Sequence, residues 1–571
     1  MRKYIVLIIF TCNISVVFAG TLLERIYVQT DKQMYLAGEP VLMKFFTTNS
    51  EHIPIVYSKI AYAELVSNGV AILQIKVELT DGTGMGRMLL PADLSTGYYR
   101  LIAYTQYMRN EGAGVFFEKN IAVLNTFQSG YQPGKMEEKG EIGEIGKLGE
   151  MGEMGEMGKS EPGTISLQPD KATYTKRAHG ELILDGLPKN IHTLSVSIAG
   201  KECIPVTESD LSLFQKNLTK KSAGFTDDFL PEYEGHIVTG KFMDNQTGNL
   251  VAVKDIASLS AGLSFPTGDG IRFFSGQKTE TGDVRFCTSG ISETQEIATV
   301  VFRANDRYRV DIQTPFVSIY EPQTLPAFQV DAAHYDQLLD RSVALQLFRY
   351  FSDDPAEIQT MQEPHFKMKP TNSYPLDEYT RFTTMREIFV EFIRGARFRS
   401  NAGKQELSVL SKRSDILEYG NNSLVLLDGV PITDHEIIYQ YDPLTVEKIN
   451  IYNGPCIFGS LMFDGVIELI TYRRLHADLN LNRSTQVITY EGPQLPYRLN
   501  IPDYSKVENI QNKMPDGRHT LLWNPDVKTG GKTSIRLPFN TSDLSGDFQA
   551  TIQGITKEGK FIFATMWFHV E

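Results

Sequence analysis

Between Leu23 and Phe127 apolar and polar residues alternate in short runs, among them "ERIYVQTD", "PVLMKFFTTN", "KIAYAELV", "AILQIKVELT" and "GYYRLIAYTQYM", each closed by Gly, Asn, Asp or Pro. A period of two buries one face of each strand and wets the other, and turns roughly every 8 to 12 residues mark an antiparallel sandwich. At roughly 150 residues per domain, the 571 residues call for about four such cores rather than one. The predicted class is therefore mainly β, a row of immunoglobulin- or fibronectin-like sandwiches. A composition of 42% hydrophobic, 11% aromatic and 22% charged residues fits ordinary globular protein, and a net charge of -13 with no Lys/Arg block argues against a nucleic-acid or anionic-lipid partner.

The opening "MRKYIVLIIFTCNISVVFAG" sets Arg2 and Lys3 before an apolar stretch that ends in Val17-Phe18-Ala19, and reads as a signal peptide cleaved near Ala19. No later apolar run is long enough to span a membrane, since a span needs roughly 20 residues. Cys203, Cys287 and Cys456 remain after cleavage, widely spaced, and read as small apolar side chains rather than a disulfide framework or zinc site.

"YVQTDKQMYLAGEPVLMKF" (27–45) and "LPADLSTGYYRLIAYTQYM" (90–108) resemble the two ends of a macroglobulin-type domain of the alpha-2-macroglobulin family. The D-K-x-x-Y of Asp31, Lys32 and Tyr35 returns at Asp170, Lys171 and Tyr174 ahead of another alternating strand, an internal repeat that resembles the next such domain. Turns at Asn245-Gln246-Thr247-Gly248 and Thr281-Gly282-Asp283 resemble a carboxypeptidase regulatory-like sandwich, a non-catalytic module. The stretch from Ser423 to Tyr472, with its Leu-Asp-Gly-Val-Pro turn and Asp-Gly-Val-Ile-Glu-Leu-Ile-Thr ending, resembles the plug domain of TonB-dependent outer-membrane receptors. A receptor barrel needs about 22 strands, more than ~220 residues, and only 99 residues follow Tyr472. Those residues alternate again and carry a Gly530-Gly531 hairpin signal, so they read as a last sandwich.

Two segments break the pattern. "GEIGEIGKLGEMGEMGEMGK" (140–159) has glycine every third residue but no proline, which excludes a collagen strand, and its even spacing excludes a phosphate loop. Repeated Gly and Glu disfavour helix and strand alike, so it reads as an acidic tether whose coil-like span is on the order of 30 Å. Residues 331–352 read as a helix with an apolar stripe of Leu338, Leu339, Val343 or Ala344, Leu347 and Phe351, and 383–393 as a shorter amphipathic helix.

The resulting organisation is a signal peptide (1–19), a macroglobulin-type sandwich (20–128), a linker (129–163), a second such sandwich (164–228), a carboxypeptidase regulatory-like sandwich (229–312), a helix with a Pro-rich connector (313–378), a small α+β plug-like domain (379–475) and a C-terminal sandwich (476–571).

The ten histidines never form H-E-x-x-H, and G-x-S-x-G and G-x-x-x-x-G-K-S/T are absent. Asp434-His435-Glu436 gathers three polar groups but reads as solvated loop rather than metal site. Acidic pairs such as Asp227-Asp228 flank turns, and whether any two carboxylates meet in space stays open. The three cysteines lack the Cys-Gly-Glu-Gln thioester of the alpha-2-macroglobulin family, so covalent trapping does not carry over with the resemblance. Trp523 and Trp567 read as core aromatics. No catalytic, cofactor-binding or metal residue is assigned and no cofactor is expected. The resemblances imply a non-enzymatic, exported Gram-negative envelope protein, in the periplasm or at the outer membrane. It would bind a protein partner such as an outer-membrane transporter, accessory to TonB-dependent uptake or surface assembly. The alternative they leave is a thioester-less, macroglobulin-like protein that meets proteases.

Overall fold

A computed structural model describes residues 23–126, 165–201, 204, 208–222, 224–267, 270–304, 306–328, 330, 335–351, 369–413, 416–474, 483–496, 499 and 501–571. The signal segment, the 140–159 run and Cys203 lie outside them. Strands dominate, arranged as β-sandwiches beside one smaller α+β unit.

The alternating runs of the first hundred residues form eight strands between Glu24 and Leu124. Val70–Thr80 pairs along its length with Ile60–Ser67 and at its end with Thr83–Leu89, which joins the two faces into one rolled sheet around Phe45, Tyr62, Tyr104 and Phe117. Met34–Leu36 crosses to the far face and runs parallel beside the last strand, Phe117–Leu124.

The repeated D-K-x-x-Y opens a sandwich of the same design, and its closing strand shows where that sandwich ends. Thr173–Tyr174 runs parallel beside Phe561–Val570, at the far end of the chain. One sheet orders Thr173–Tyr174, Phe561–Val570, Gly546–Thr556, Ile191–Gly200 and Thr520–Asn524; the other orders Ser534–Asn540, His179–Asp185 and Ser166–Pro169. Segments 164–228 and 476–571, expected as separate sandwiches, thus contribute to one core, in which Leu182 and Val196 meet Phe539, Ile552 and Phe568. Gly530 and Gly531 do take left-handed φ values of 59° and 74°, but the turn passes from one sheet to the other instead of closing a hairpin. Alternation marks a strand without naming its neighbour, which is why the split was not readable from it.

Everything from residue 201 to 519 is inserted into this split sandwich. The helix Asp210–Thr219, capped by Ser209, lays Leu213 and Phe214 on the first sandwich rather than the second, and Phe214 stacks 4.2 Å from Phe561. A third sandwich follows from His236 to Ile312 and takes a further edge strand, Thr485–Glu491, antiparallel to Thr294–Phe302. Between those two parts sits the α+β unit. Its sheet orders Asn372–Pro375, Val446–Phe458, Leu461–Thr471, Ser423–Leu427 and Val430–Ile432, with Ser423–Leu427 parallel to Leu461–Thr471. Thr384 and Glu387 form a capping box on its helix Met385–Glu391, which buries Met385, Ile388 and Phe389.

The helix Tyr335–Phe351 departs from its expected stripe. Leu338 is buried, but Leu339, Val343 and Leu347 are exposed, and the inward face carries Arg341 and Ser342. The Arg341 guanidinium donates to both Glu39 carboxylate oxygens (3.1 and 2.8 Å) and to the Met34 carbonyl (3.2 Å), so a buried ion pair orients the helix where hydropathy pointed elsewhere. Of the tryptophans, Trp523 is buried as expected, whereas Trp567 is half exposed with the Lys201 ammonium 5.6 Å above its ring.

Candidate functional site

The α+β unit rests on the third sandwich through an apolar seam. Ile271, Phe273, Val300 and Phe302 meet Leu424, Leu426, Phe458 and Phe463, with the rings of Phe273 and Phe458 only 4.0 Å apart. Gly459 is required there, because a Cβ would fall 2.0 Å from Ser275 Oγ and 2.6 Å from Phe273. The Asp428-Gly429 turn adopts left-handed φ values of 49° and 85°, as a two-residue hairpin demands, and the Gly429 carbonyl accepts from Ser264 Oγ at 2.7 Å. Thr485 Oγ1 donates to the Pro431 carbonyl, and Ser460 N–H donates to Ser275 Oγ.

At one end the seam opens into a cavity of about 460 Å³. Its floor is apolar, with Phe302, Leu424, Ile432 and Phe463, and its rim is polar. Asp434 and His435 stand on that rim, and with the adjoining Glu436 they are placed against the start of the strand Lys404–Arg413. Leu407 N–H donates to His435 Nδ1 (3.1 Å), Gln405 N–H donates to Glu436 Oε2 (3.0 Å), and Lys404 Nζ pairs with Asp434 Oδ2 (3.3 Å). The triplet expected as solvated loop is therefore fastened to a neighbouring strand.

His435 has a defined state. Its Nδ1 accepts a backbone N–H, so the ring proton sits on Nε2, and burial pulls the pKa down to about 4 against the opposing pull of Glu406 and Asp434. The ring is a neutral hydrogen-bond donor at any pH near 7. Across the cavity, Arg303 follows the end of the strand Thr294–Phe302 with a left-handed φ of 62° and an exposed side chain. Asn422 ties the remaining wall together, donating through Nδ2 to the Met462 carbonyl while its N–H donates to Asp464 Oδ2.

The sequence drew attention to Asp434, His435 and Glu436; Arg303, Lys404 and Asn422 carry no spacing or motif that could have flagged them. Among the described residues no group of three or more His, Cys, Asp or Glu side chains is arranged to hold a metal, and no helix is long and apolar enough to cross a membrane. Cys456 is buried, and Cys287 donates to Glu234 Oε2 at 3.6 Å; burial raises both thiols to about 11, with Glu234 adding to the rise at Cys287. Both remain protonated thiols at neutral pH.

Fold and cavity define a class: a chain of β-sandwiches with a nested α+β unit and a mixed polar and apolar cleft where the unit meets its host. No family profile and no curated protein matches this chain. Solved structures aligned with it include Salmonella alpha-2-macroglobulin reacted with methylamine, at 10% identity over 96% of this chain and 39% of the other, with a TM-score of 0.22. The native conformation of E. coli alpha-2-macroglobulin aligns at 10% identity over 97% and 40%, with a TM-score of 0.23. The same E. coli protein activated by porcine elastase aligns at 8% identity over 96% and 44%, again with a TM-score of 0.23. The chain spans about two fifths of the length of these proteins.

Proposed function

We propose that this chain is an exported, non-enzymatic protein of a Gram-negative cell envelope that binds a segment of a protein partner in the cleft between its third sandwich and its α+β unit. The observation that carries this reading is the cleft itself. Its volume of about 460 Å³ falls in the range of ligand sites, and its apolar floor lies beneath polar groups held by backbone hydrogen bonds. The TonB-plug and carboxypeptidase regulatory-like resemblances supply the setting, in the periplasm or at the outer membrane, within uptake or surface assembly. A photo-crosslinking residue at the exposed Asn421, with one at the exposed Lys528 of the split sandwich as control, tests it in the native host. The expected result is a discrete adduct from position 421, absent from 528, whose partner is an outer-membrane transporter or assembly component. Identical adduct patterns from the two positions would remove the cleft as the binding site.

A second reading has one observation behind it. The two D-K-x-x-Y segments open sandwiches of the same design, each crossing to lie parallel with its closing strand, which supports the macroglobulin-type resemblance. On that reading the adducts are proteases and the chain is cut within residues 140–159.

A further inference from the structure

Of the charged groups lining the cleft, Asp434 and Lys404 form an ion pair, Asp306 and Glu406 are held by neutral hydrogen-bond donors, and one cation stands apart. Among the carboxylates, Asp306 Oδ1 accepts from Ser484 N–H (3.3 Å), Glu406 accepts from Asn401 Nδ2 through both oxygens (3.1 Å each), and Asp434 pairs with Lys404 and accepts from Glu436 N–H (3.2 Å). Lys404 is thereby engaged. Arg303 is exposed, and among the described residues no acceptor takes its guanidinium. Its neighbours Phe302 and Ala304 are buried, so the backbone is clamped on both sides in the left-handed conformation that presents this side chain at the cavity. Such a conformation is unfavourable for a residue that carries a Cβ. Among the described residues no acceptor takes His435 Nε2–H either, which adds a second donor.

We infer that the cleft recognises an acidic peptide segment, with Arg303 pairing with the carboxylate of an Asp or Glu side chain whose apolar neighbour settles on Phe302 and Phe463. This rests on the cleft being the partner site. A carboxylate fits better than a phosphate. Three carboxylates already surround the cavity, and their repulsion grows with the charge of the ligand, so a monoanion is tolerated where a dianion is opposed. Arg suits the task because its planar fork meets a carboxylate through two parallel hydrogen bonds.

Selection of short random displayed peptides on the immobilised full chain tests the inference, using wild type, R303K and R303G; the glycine variant relieves the left-handed residue and so keeps the fold. The expected result is enrichment of Asp or Glu beside an apolar residue on wild type, weaker on R303K and lost on R303G. An enriched peptide and its Gln counterpart, compared by fluorescence anisotropy, should differ by about tenfold or more on wild type and not at all on R303G. Acidic enrichment that survives R303G, or displacement of the peptide by inorganic phosphate at constant ionic strength, overturns the acidic-peptide assignment alone. Peptides that bind but are not blocked by N421W, or no enrichment on any variant, remove the cleft reading beneath it.

Discussion

Glu232 has almost no contact with water although it is a carboxylic acid, and it lies where the first and third sandwiches meet. It accepts from Tyr62 OH at 2.9 and 3.0 Å and from Ile237 N–H at 2.8 Å. Lys76, His236 and Tyr490 complete the junction: the Lys76 ammonium donates to the Glu491 carbonyl and lies 5.1 Å from the Tyr490 ring, while His236 Nδ1 bonds Tyr490 OH at 2.6 Å. Burial pushes Glu232 up to about 8 and Lys76 down to about 8, and it holds His236 well below its usual value. A proton retained to about 8 in the folded chain but released near 4.5 in the unfolded one contributes stability below 4.5 that is lost as pH rises to 8. At about 1.4 kcal/mol per unit, the loss reaches about 5 kcal/mol across that window. Lys76 acts with the opposite sign and in a separate window, gaining stability between 8 and 10.5. His236, held neutral by burial, contributes the opposite slope below 6.5 in both proteins, so urea midpoints of the first unfolding transition between 4.5 and 8 should run more negatively with pH in wild type than in E232Q. An equal slope in the two proteins would assign the pH dependence to other groups. Nothing around Glu232 in the sequence announces this, because its burial depends on strands more than a hundred residues away.

The element most legible in the sequence was the D-K-x-x-Y crossing, and its geometry shows why the spacing recurs. Tyr35 OH reaches back to Asp31 Oδ1 (2.8 Å), which also accepts Leu42 N–H; Tyr174 OH reaches back to Asp170 Oδ1 (2.5 Å), which also accepts Glu181 N–H. In each case one carboxylate fastens the crossing strand to the next strand in the chain. The surroundings differ. Asp31 has a second brace in Thr520 Oγ1 (2.8 Å) from the split sandwich and in Lys32, whereas Asp170 relies on the local pair. Y174F should therefore cost about 1–3 kcal/mol and raise amide exchange at Thr173–Tyr174 and along Phe561–Val570, with Y35F the milder of the two. A milder Y174F, or exchange raised only near residue 174, would show that the crossing is held by its apolar contacts instead. The helix Tyr335–Phe351 marks the limit of such reading. Its length followed from its sequence, but its rotation is set by Arg341 meeting Glu39, a pairing across some 300 residues that hydropathy cannot see.

For the whole molecule, the order of the chain and the order of folding units are different things. Alternation located many of the strands, though not Thr83–Leu89, Thr294–Phe302, Lys404–Arg413 or Thr485–Glu491, and the motif repeat located the start of the split sandwich. Its end stayed hidden because the closing strand lies beyond two nested insertions, and contacts that distant leave no local trace. The nesting makes a specific demand: residues 166–200 cannot hold their fold until residues 520–570 have joined them. Deleting Phe561–Val570 removes Ile562, Phe568 and Val570 from the core and strands Thr173–Tyr174 without a partner. At roughly 1.5–3 kcal/mol for each large buried side chain, the loss is comparable to the stability of a whole domain. Hydrogen exchange read by mass spectrometry should show protection collapsing in 166–200 and 520–556 together, although they are far apart in the chain. The strands of 236–312 should keep theirs, and the first sandwich should lose protection only along its contact with the split sandwich, where Phe561 stacks on Phe214 and Thr520 and Ser197 brace Asp31. Collapse confined to 520–556 would mean that the two halves of the split sandwich are stable apart, and collapse of all regions at once would mean that the insertions have no independent cores.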